Sequence, residues 1–172
     1  MADVNARLAR LRVPLGFLAG LVVLALATPT PQALVVGTLV AIAGEAVRVW
    51  AAGHLEKSRE VTRSGPYRWS RHPLYVGSSV MGAGVCLAAA SLPAAAIVAL
   101  YLATTYTAAI RTEEAFLRGR FGAAYDDYCA GRGPSVDRPF DWARVWRNKE
   151  WRAVVGVGLV FLVLAAKVLW LA

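Results

Sequence analysis

Cysteine, histidine and acidic residues are scarce in this sequence of 172 residues, and each shortage excludes a class of protein. The two cysteines, Cys86 in an apolar stretch and Cys129 in a polar one, lie in different environments, so no disulfide framework is expected. No Cys/His spacing typical of zinc sites occurs, and we predict no metal ligands. Asp and Glu number 11 against 19 Lys and Arg, which gives a net charge of +8.

This basic charge is distributed as in a membrane protein rather than as in a nucleic-acid-binding protein. When the chain is arranged as five membrane spans, every Lys and Arg except Lys167 falls on one side of the membrane. That asymmetry is typical of cytoplasmic loops. We therefore predict no nucleic-acid partner, a cytoplasmic N-terminus and cytoplasmic polar loops.

Apolar residues are abundant, at 58% of the chain with a mean hydropathy of +0.49, too apolar for a soluble domain of this size. Crossing a hydrocarbon core of about 30 Å takes roughly 20 apolar helical residues. The fold class we expect is all-α, a polytopic transmembrane bundle of about five spans forming a single domain over residues 1–172. The predicted spans are 13–28, 33–50, 75–92, 93–110 and 153–172.

The third and fourth spans carry no charge and meet at residues 91–93, which predicts a tight helical hairpin whose second helix begins at Pro93. The first span follows a basic N-terminus and ends near a small-residue triplet, residues 25–27, that resembles a signal-peptide cleavage site. A secretory signal is therefore the alternative for this segment. A second hydrophobic segment within a few residues favours a retained span.

Small residues and one charged pair lie inside the apolar spans. Gly16 and Gly20 form a Gly-x-x-x-Gly pattern that predicts helix packing, within the chain or in a homo-oligomer. Residues 82–84, Gly-Ala-Gly, have no strand before them, so helix packing is favoured over a nucleotide-binding loop. Glu45 and Arg48 are spaced to pair on one helix, or to reach into a cavity.

The polar segment before the hairpin ends in the most informative string of the chain, residues 65–77, Gly-Pro-Tyr-Arg-Trp-Ser-Arg-His-Pro-Leu-Tyr-Val-Gly. Pro73 suits the first turn of a helix and disfavours helical backbone at His72, which we therefore place at or beside the N-cap. Arg68 and Arg71 would add positive charge there, favouring a carboxylate or phosphate. The alternative is that these side chains only mark the membrane interface.

A second polar motif, Arg111-Thr112-Glu113-Glu114, lies where the fourth helix leaves the predicted membrane region. Ionisable residues near membrane depth are costly, which favours a functional role. Glu114 lies on an apolar helical stripe and is the better candidate to bind a positively charged cofactor. For Glu113 the alternative is that it only forms a solvent-exposed ion pair with a nearby arginine. Gly122 could interrupt the helix. The stripe comprises Ile110, Glu114, Leu117, Phe121, Tyr125 and Tyr128.

Together the two motifs resemble a family, the integral-membrane methyltransferases typified by isoprenylcysteine carboxyl methyltransferase and the related phospholipid methyltransferases. In that family a Gly-x-Tyr-x-x-x-Arg-His-Pro-x-Tyr-x-Gly segment precedes a helical hairpin. An arginine with paired glutamates, then Phe-Gly-x-x-Tyr-x-x-Tyr, follows it. The corresponding segments here are 65–77, 111–114 and 121–128. The resemblance covers roughly residues 45–130.

The resemblance implies a cofactor, S-adenosylmethionine, held in a pocket at the cytoplasmic face. It also implies a membrane-embedded lipidic or amphiphilic substrate whose carboxylate or amine receives the methyl group. The residues that it assigns to cofactor binding are His72, Tyr75, Glu114, Tyr125 and Tyr128, and those that it assigns to catalysis are Arg71 and Glu113.

Two features depart from the family pattern: residues 129–134, which follow the second tyrosine, and the additional C-terminal span, 153–172. Two other functions stay open. A membrane reductase of related fold would use NADPH, although the short loops leave little room for a dinucleotide. A non-catalytic membrane scaffold would use the charged loops only as interfacial collars.

Overall fold

The computed structural model describes residues 2–133 and 136–171, and within these ranges it contains helices and no strand. Two predicted segments end outside the described residues. The segment 129–134, which departs from the family pattern, ends at Pro134, and the predicted fifth span ends at Ala172. The expected all-α class is confirmed. The helices are α1 (Ala2–Leu26), α2 (Pro31–His54), α3 (Pro73–Ala89), α4 (Leu92–Phe121), α5 (Ala123–Cys129), α6 (Trp142–Arg147) and α7 (Trp151–Leu171), with a 3-10 turn at Gly65–Arg68.

Three of these helices, α2, α4 and α7, are long and apolar enough to cross a membrane. The apolar part of α1, Leu11–Leu26, and the whole of α3 are shorter, so the number of five spans stays a prediction. Large apolar side chains cover the outside of the bundle: Leu100 is 67% exposed and Leu92 is 84% exposed. Such a surface suits a hydrocarbon environment, where helices satisfy their backbone hydrogen bonds internally.

Among the five long helices α1 packs against α4, α4 against α3, α3 against α2 and α2 against α7, which also touches α1. Helix α3 is in contact with all four of the others. The predicted hairpin between α3 and α4 is confirmed: Ala90 has a left-handed φ of 47°, and the Ser91 side chain caps α4. The turn between α1 and α2 is tied to this hairpin, because Thr28 N donates to Ala89 O (2.8 Å) and Thr28 Oγ1 donates to Ala90 O (3.0 Å).

Helices α2 and α3 approach each other backbone to backbone at glycines. A Cβ atom built on Gly84 would lie 2.6 Å from Gly37 O, and one built on Gly77 would lie 2.7 Å from Gly44 O. The helix-packing role predicted for residues 82–84 therefore holds at Gly84. Gly20 differs, because a Cβ atom there meets no heavy atom within 4 Å. The packing role predicted for Gly20 within the chain is wrong.

The predicted single helical face from Ile110 to Tyr128 is also wrong as one continuous helix. Helix α4 extends to Phe121 and then ends at Gly122, which has a positive φ of 51°. This is the interruption that the glycine made possible, because a residue without a side chain adopts such a conformation without strain. Tyr125 and Tyr128 consequently lie on the separate helix α5.

The C-terminal segment is held against the end of α2 by polar contacts. Arg144 Nε and Arg147 Nη2 lie 2.9 and 3.1 Å from Glu56 Oε1. Asn148 Nδ2 donates to Ala52 O (2.9 Å) and Leu55 O (3.0 Å). Arg144 and Arg147 thereby join α6 to the end of α2.

We predict that Gly84→Ala destabilises the bundle by about 1–3 kcal/mol, because the added methyl group has to displace backbone atoms of α2. Gly20→Ala is the matched control, since its methyl group enters open space and improves helix propensity by up to about 1 kcal/mol. The thermal unfolding midpoint of both variants in detergent measures the difference. Equal midpoints would contradict the close approach of α2 and α3.

Candidate functional site

His72 is the N-cap residue of α3, as the proline after it predicted, and its side chain makes no capping hydrogen bond. The ring is therefore available to another partner. Its Nε2 atom lies 2.9 Å from Glu114 Oε1, and Arg71 Nη1 lies 3.4 Å from the same oxygen. The start of α3 and the polar end of α4, 42 residues apart in sequence, thus meet at one carboxylate.

A row of four aromatic rings begins at His72 and runs along the inside of the bundle. The ring centroids of His72 and Tyr75 are 6.0 Å apart, those of Tyr75 and Tyr106 are 5.1 Å apart, and those of Tyr106 and Tyr101 are 6.4 Å apart. All three pairs meet edge to face, a favourable arrangement. The Tyr75 hydroxyl lies 3.4 Å from Arg12 Nη1 and close to the Glu113 carboxylate.

The paired glutamates face different directions because neighbouring residues on a helix are about 100° apart. Glu113 shares its helix face with Tyr106 and lines the cavity described below. Glu114 is not among the residues that line this cavity and lies behind His72 and Arg71. The apolar stripe that includes Glu114 is therefore the face on which α4 contacts the start of α3. Of the two glutamates, Glu113 is the one that faces the cavity.

Helix α5 carries Tyr125 and Tyr128 and lies beside the 3-10 turn at Gly65–Arg68. Tyr128 Oη donates to Tyr67 O at 2.8 Å. Burial raises the pKa of Tyr128 to about 12, so this hydroxyl keeps its proton and remains a donor at neutral pH. Tyr125 is 1% exposed, and its hydroxyl is buried without a hydrogen-bond partner among the described residues.

These residues surround one cavity of about 1160 Å³. At one end its wall is polar and holds six of the seven predicted site residues, all but Glu114. The opposite end is apolar and is formed by α1 and α7. The cavity thus joins a polar site to the apolar interior of the bundle. The six residues are Arg71, His72, Tyr75, Glu113, Tyr125 and Tyr128.

A buried charged cluster at the side of the cavity was only partly predicted. Arg48 and Glu45 do pair, with 3.8 Å between Nε and Oε2, but Glu150 at the start of α7 lies closer to Arg48, at 2.5 Å. Arg48 also donates to the Ser78 hydroxyl on α3. Glu150 was missed because it lies beyond the motifs and 102 positions from its partner. Its position beside an apolar span, where a charge is costly, was the available signal.

Tyr101 and Tyr106 were missed as well. Their rings lie on α4, five positions apart, and their spacing does not follow the stripe that includes Glu114. The seven-residue interval from Tyr106 to Glu113 is two helical turns and could have placed both on one face. Arg68, in contrast, points away to pair with Asp137 at 2.8 Å.

This fold and cavity define a class of protein, a polytopic helical membrane protein with a polar site at one end of the bundle. Residues 46–124 match the model of a family described as phospholipid methyltransferase. The matched region includes the first motif and both glutamates of the second. The resemblance drawn from the motifs is therefore confirmed over residues 46–124, which are similar to a membrane methyltransferase family.

Two curated relatives are named for resistance to metals. The nickel-cobalt-cadmium resistance protein NccN of Alcaligenes xylosoxydans xylosoxydans is 39% identical over 104 residues, 59% of this chain and 48% of its own length. The cobalt-zinc-cadmium resistance protein CzcN of Cupriavidus metallidurans is 36% identical over 94 residues, 54% of this chain and 44% of its own length. The chain thus spans about half the length of these relatives. No solved structure matches it.

Metal ligands do not converge in the part of the chain that the structure describes: no three His, Cys, Asp or Glu side chains there are grouped to hold an ion. Cys86 and Cys129 are both free. The polar end of the cavity is built instead from hydroxyl, imidazole, guanidinium and carboxylate groups. These groups bind organic ligands by hydrogen bonds and charge.

The buried phenols predict a loss of stability at high pH. Burial raises the pKa values of Tyr67, Tyr125 and Tyr128, so unfolded tyrosines release protons near pH 10 while the folded ones keep theirs. The unfolded state then binds fewer protons, and the free energy of unfolding falls as pH rises above about 10. Unfolding in detergent between pH 8 and pH 11 measures this fall, and Tyr128→Phe is expected to make it shallower. An unchanged slope would contradict burial of this hydroxyl.

Proposed function

We propose that this protein is a membrane methyltransferase that uses S-adenosylmethionine and methylates the carboxylate or amine of a membrane-embedded lipidic or amphiphilic substrate. The cavity of about 1160 Å³ is the observation that carries the proposal. Pockets for one small ligand measure roughly 300–1,000 Å³, so this cavity has room for a cofactor and part of an acceptor. Its two ends also differ in polarity as those two molecules do.

The polar end suits the chemistry of this cofactor, which carries a positive sulfur, an ammonium group and ribose hydroxyls. Aromatic rings and carboxylates attract cations, and Tyr75 and Glu113 supply both in one wall. Tyr125 adds a further aromatic ring to the same wall. We assign cofactor binding to these aromatic residues together with His72 and Tyr128.

Glu114 supports this pocket from behind. By accepting a hydrogen bond from His72 and pairing with Arg71, its carboxylate fixes the direction of both side chains. A residue whose hydrogen bonds orient those that touch the ligand affects binding without touching the ligand itself. We therefore assign Glu114 to the cofactor site as a positioning residue.

Methyl transfer itself requires little from the protein beyond orientation and the exclusion of water, effects that supply about 7–11 kcal/mol in well-held reactants. Bound S-adenosylmethionine supplies a methyl group on a positively charged sulfur, which recovers the electron pair of the broken C–S bond. An ammonium acceptor has to lose a proton before it attacks, and Glu113, which faces the cavity, is placed to take it. A carboxylate acceptor needs no base, and Arg71 is placed to bind it.

The distribution of charge supports a cytoplasmic position for the polar end. The loop after α2 and the segment from α5 to α6 carry eight of the 16 arginines, and the positive-inside rule places such loops in the cytoplasm. We propose that the cofactor enters from that side and that the acceptor reaches the cavity from the bilayer. All helices then form one domain with one site.

Titration of S-adenosylhomocysteine into the detergent-purified protein, followed by calorimetry, tests the cofactor. We expect saturable binding that weakens about tenfold or more in Glu114→Gln and in His72→Ala, because a hydrogen bond to a charged group contributes about 1.5–3 kcal/mol. Asp137→Asn is the control, since that carboxylate is 96% exposed and lies outside the cavity. Binding of NADPH in place of S-adenosylhomocysteine would support a reductase, and binding of neither would support a scaffold.

Transfer of tritium from methyl-labelled S-adenosylmethionine into a total bacterial lipid extract tests catalysis. We expect Glu113→Gln to lower turnover at saturating S-adenosylmethionine by about 100-fold, a far larger effect than on the affinity for S-adenosylhomocysteine, as for loss of a general base. Asp137→Asn again serves as the control. An unchanged rate in Glu113→Gln would remove this residue from catalysis and favour a carboxylate acceptor.

A further inference from the structure

The apolar end of the cavity lies outside the region that matches the methyltransferase family. Its walls come from α1, through Phe17, Gly20 and Leu21, and from α7, through Gly156, Leu159 and Val163. The family match covers residues 46–124 and includes none of these positions. The two helices at the ends of the chain therefore form the apolar half of a cavity whose polar half comes largely from the family region. We refer to this apolar half as the α1–α7 cleft.

The glycines of the α1–α7 cleft keep it open. A Cβ atom built on Gly20 or on Gly156 meets no heavy atom within 4 Å. The glycines at the close contact between α2 and α3 differ. A Cβ atom built on Gly37 or on Gly84 would lie 2.6 Å or less from backbone atoms of the other helix. The missing side chains in α1 and α7 thus leave space for something other than a neighbouring helix of this chain.

The cleft is closed at the end away from the polar site. Lys167 Nζ on α7 donates to Leu24 O (3.0 Å) and Ala25 O (3.1 Å) on α1, and the nearby side chains of Val23 and Leu164 are buried. From Arg12 to Leu24, both in the cavity wall, α1 rises about 18 Å at 1.5 Å per residue. This depth is close to one leaflet of a hydrocarbon core of about 30 Å.

The other end of the cleft opens beside the reacting groups. The Arg48–Glu150 ion pair ties the start of α7 to α2, and both side chains line the cavity together with Ser78. Ser78 is on the same helix as Tyr75, three positions further into the bundle. A molecule with its chain in the cleft would therefore place its head group near Tyr75 and Glu113.

From these observations we propose that the α1–α7 cleft binds one hydrocarbon chain of the methyl acceptor, and that Gly20 and Gly156 determine which chains fit. This inference rests on the proposed function. It identifies the acceptor as an amphiphile with a chain about one leaflet long and a nucleophilic head at the polar end. It also gives the C-terminal helix a role in substrate selection.

Photolabelling tests the proposal with palmitic acid that carries a mid-chain diazirine, applied to the full chain in phosphatidylcholine nanodiscs. We expect labelling of cleft residues that unlabelled palmitic acid competes away. Gly156→Leu should reduce this labelling about tenfold, since each displaced methylene group is worth about a fourfold change in affinity. Gly158→Leu is the matched control, because its side chain also enters open space but faces the separate groove between α2 and α7.

The outcomes separate this inference from the proposed function. Labels spread over the lipid-facing surface without competition, or equal labelling in the two leucine variants, would overturn the cleft as a binding site. Calorimetry with S-adenosylhomocysteine on the same variants should show unchanged affinity. Competed labelling of the cleft in a wild-type protein that does not bind S-adenosylhomocysteine would overturn the assignment of the hydrocarbon chain to a methyl acceptor. Absence of competed labelling in a wild-type protein that does bind S-adenosylhomocysteine would overturn the cleft alone.

Discussion

The contact of the Glu114 carboxylate with His72 and Arg71 is the interaction on which the polar site depends. It joins the start of α3 to the polar end of α4, so that two sequence motifs separated by a helical hairpin face one cavity. A carboxylate shared by an imidazole and a guanidinium is strongly held, because charge-assisted hydrogen bonds are about twice as strong as neutral ones. The aromatic row from His72 to Tyr101 then continues the wall that this contact begins.

Glycines allow one pair of helices in this bundle to pack closely and leave open space between another pair. Between α2 and α3 the glycines allow backbone contact, which fixes the position of α3 and hence of its N-cap residue, His72. Between α1 and α7 they leave a cleft. The same residue type therefore stabilises one interface and opens another, and only the neighbouring atoms distinguish the two roles.

The region matched by the phospholipid methyltransferase family supplies most of the predicted site residues that line the cavity, and the segments that flank it complete the wall. The names of the two relatives refer to resistance to metals, and they describe those proteins. In the present chain the ion pairs of Glu56 and Glu150 attach the C-terminal segment firmly to the family region.

Hydrophobic runs, turn residues and motif order in the sequence alone determined the helical class and the hairpin at residues 91–93. They also identified seven site residues, of which six line the polar end of the cavity. These features are local, since the length of an apolar run and the restriction that Pro73 places on His72 depend only on nearby residues. The division of roles between Glu113 and Glu114, the Glu150 partner of Arg48 and the open cleft at Gly20 and Gly156 were decided by the tertiary structure. Each depends on which helix lies opposite a given face, and helices distant in sequence meet only after the bundle has packed.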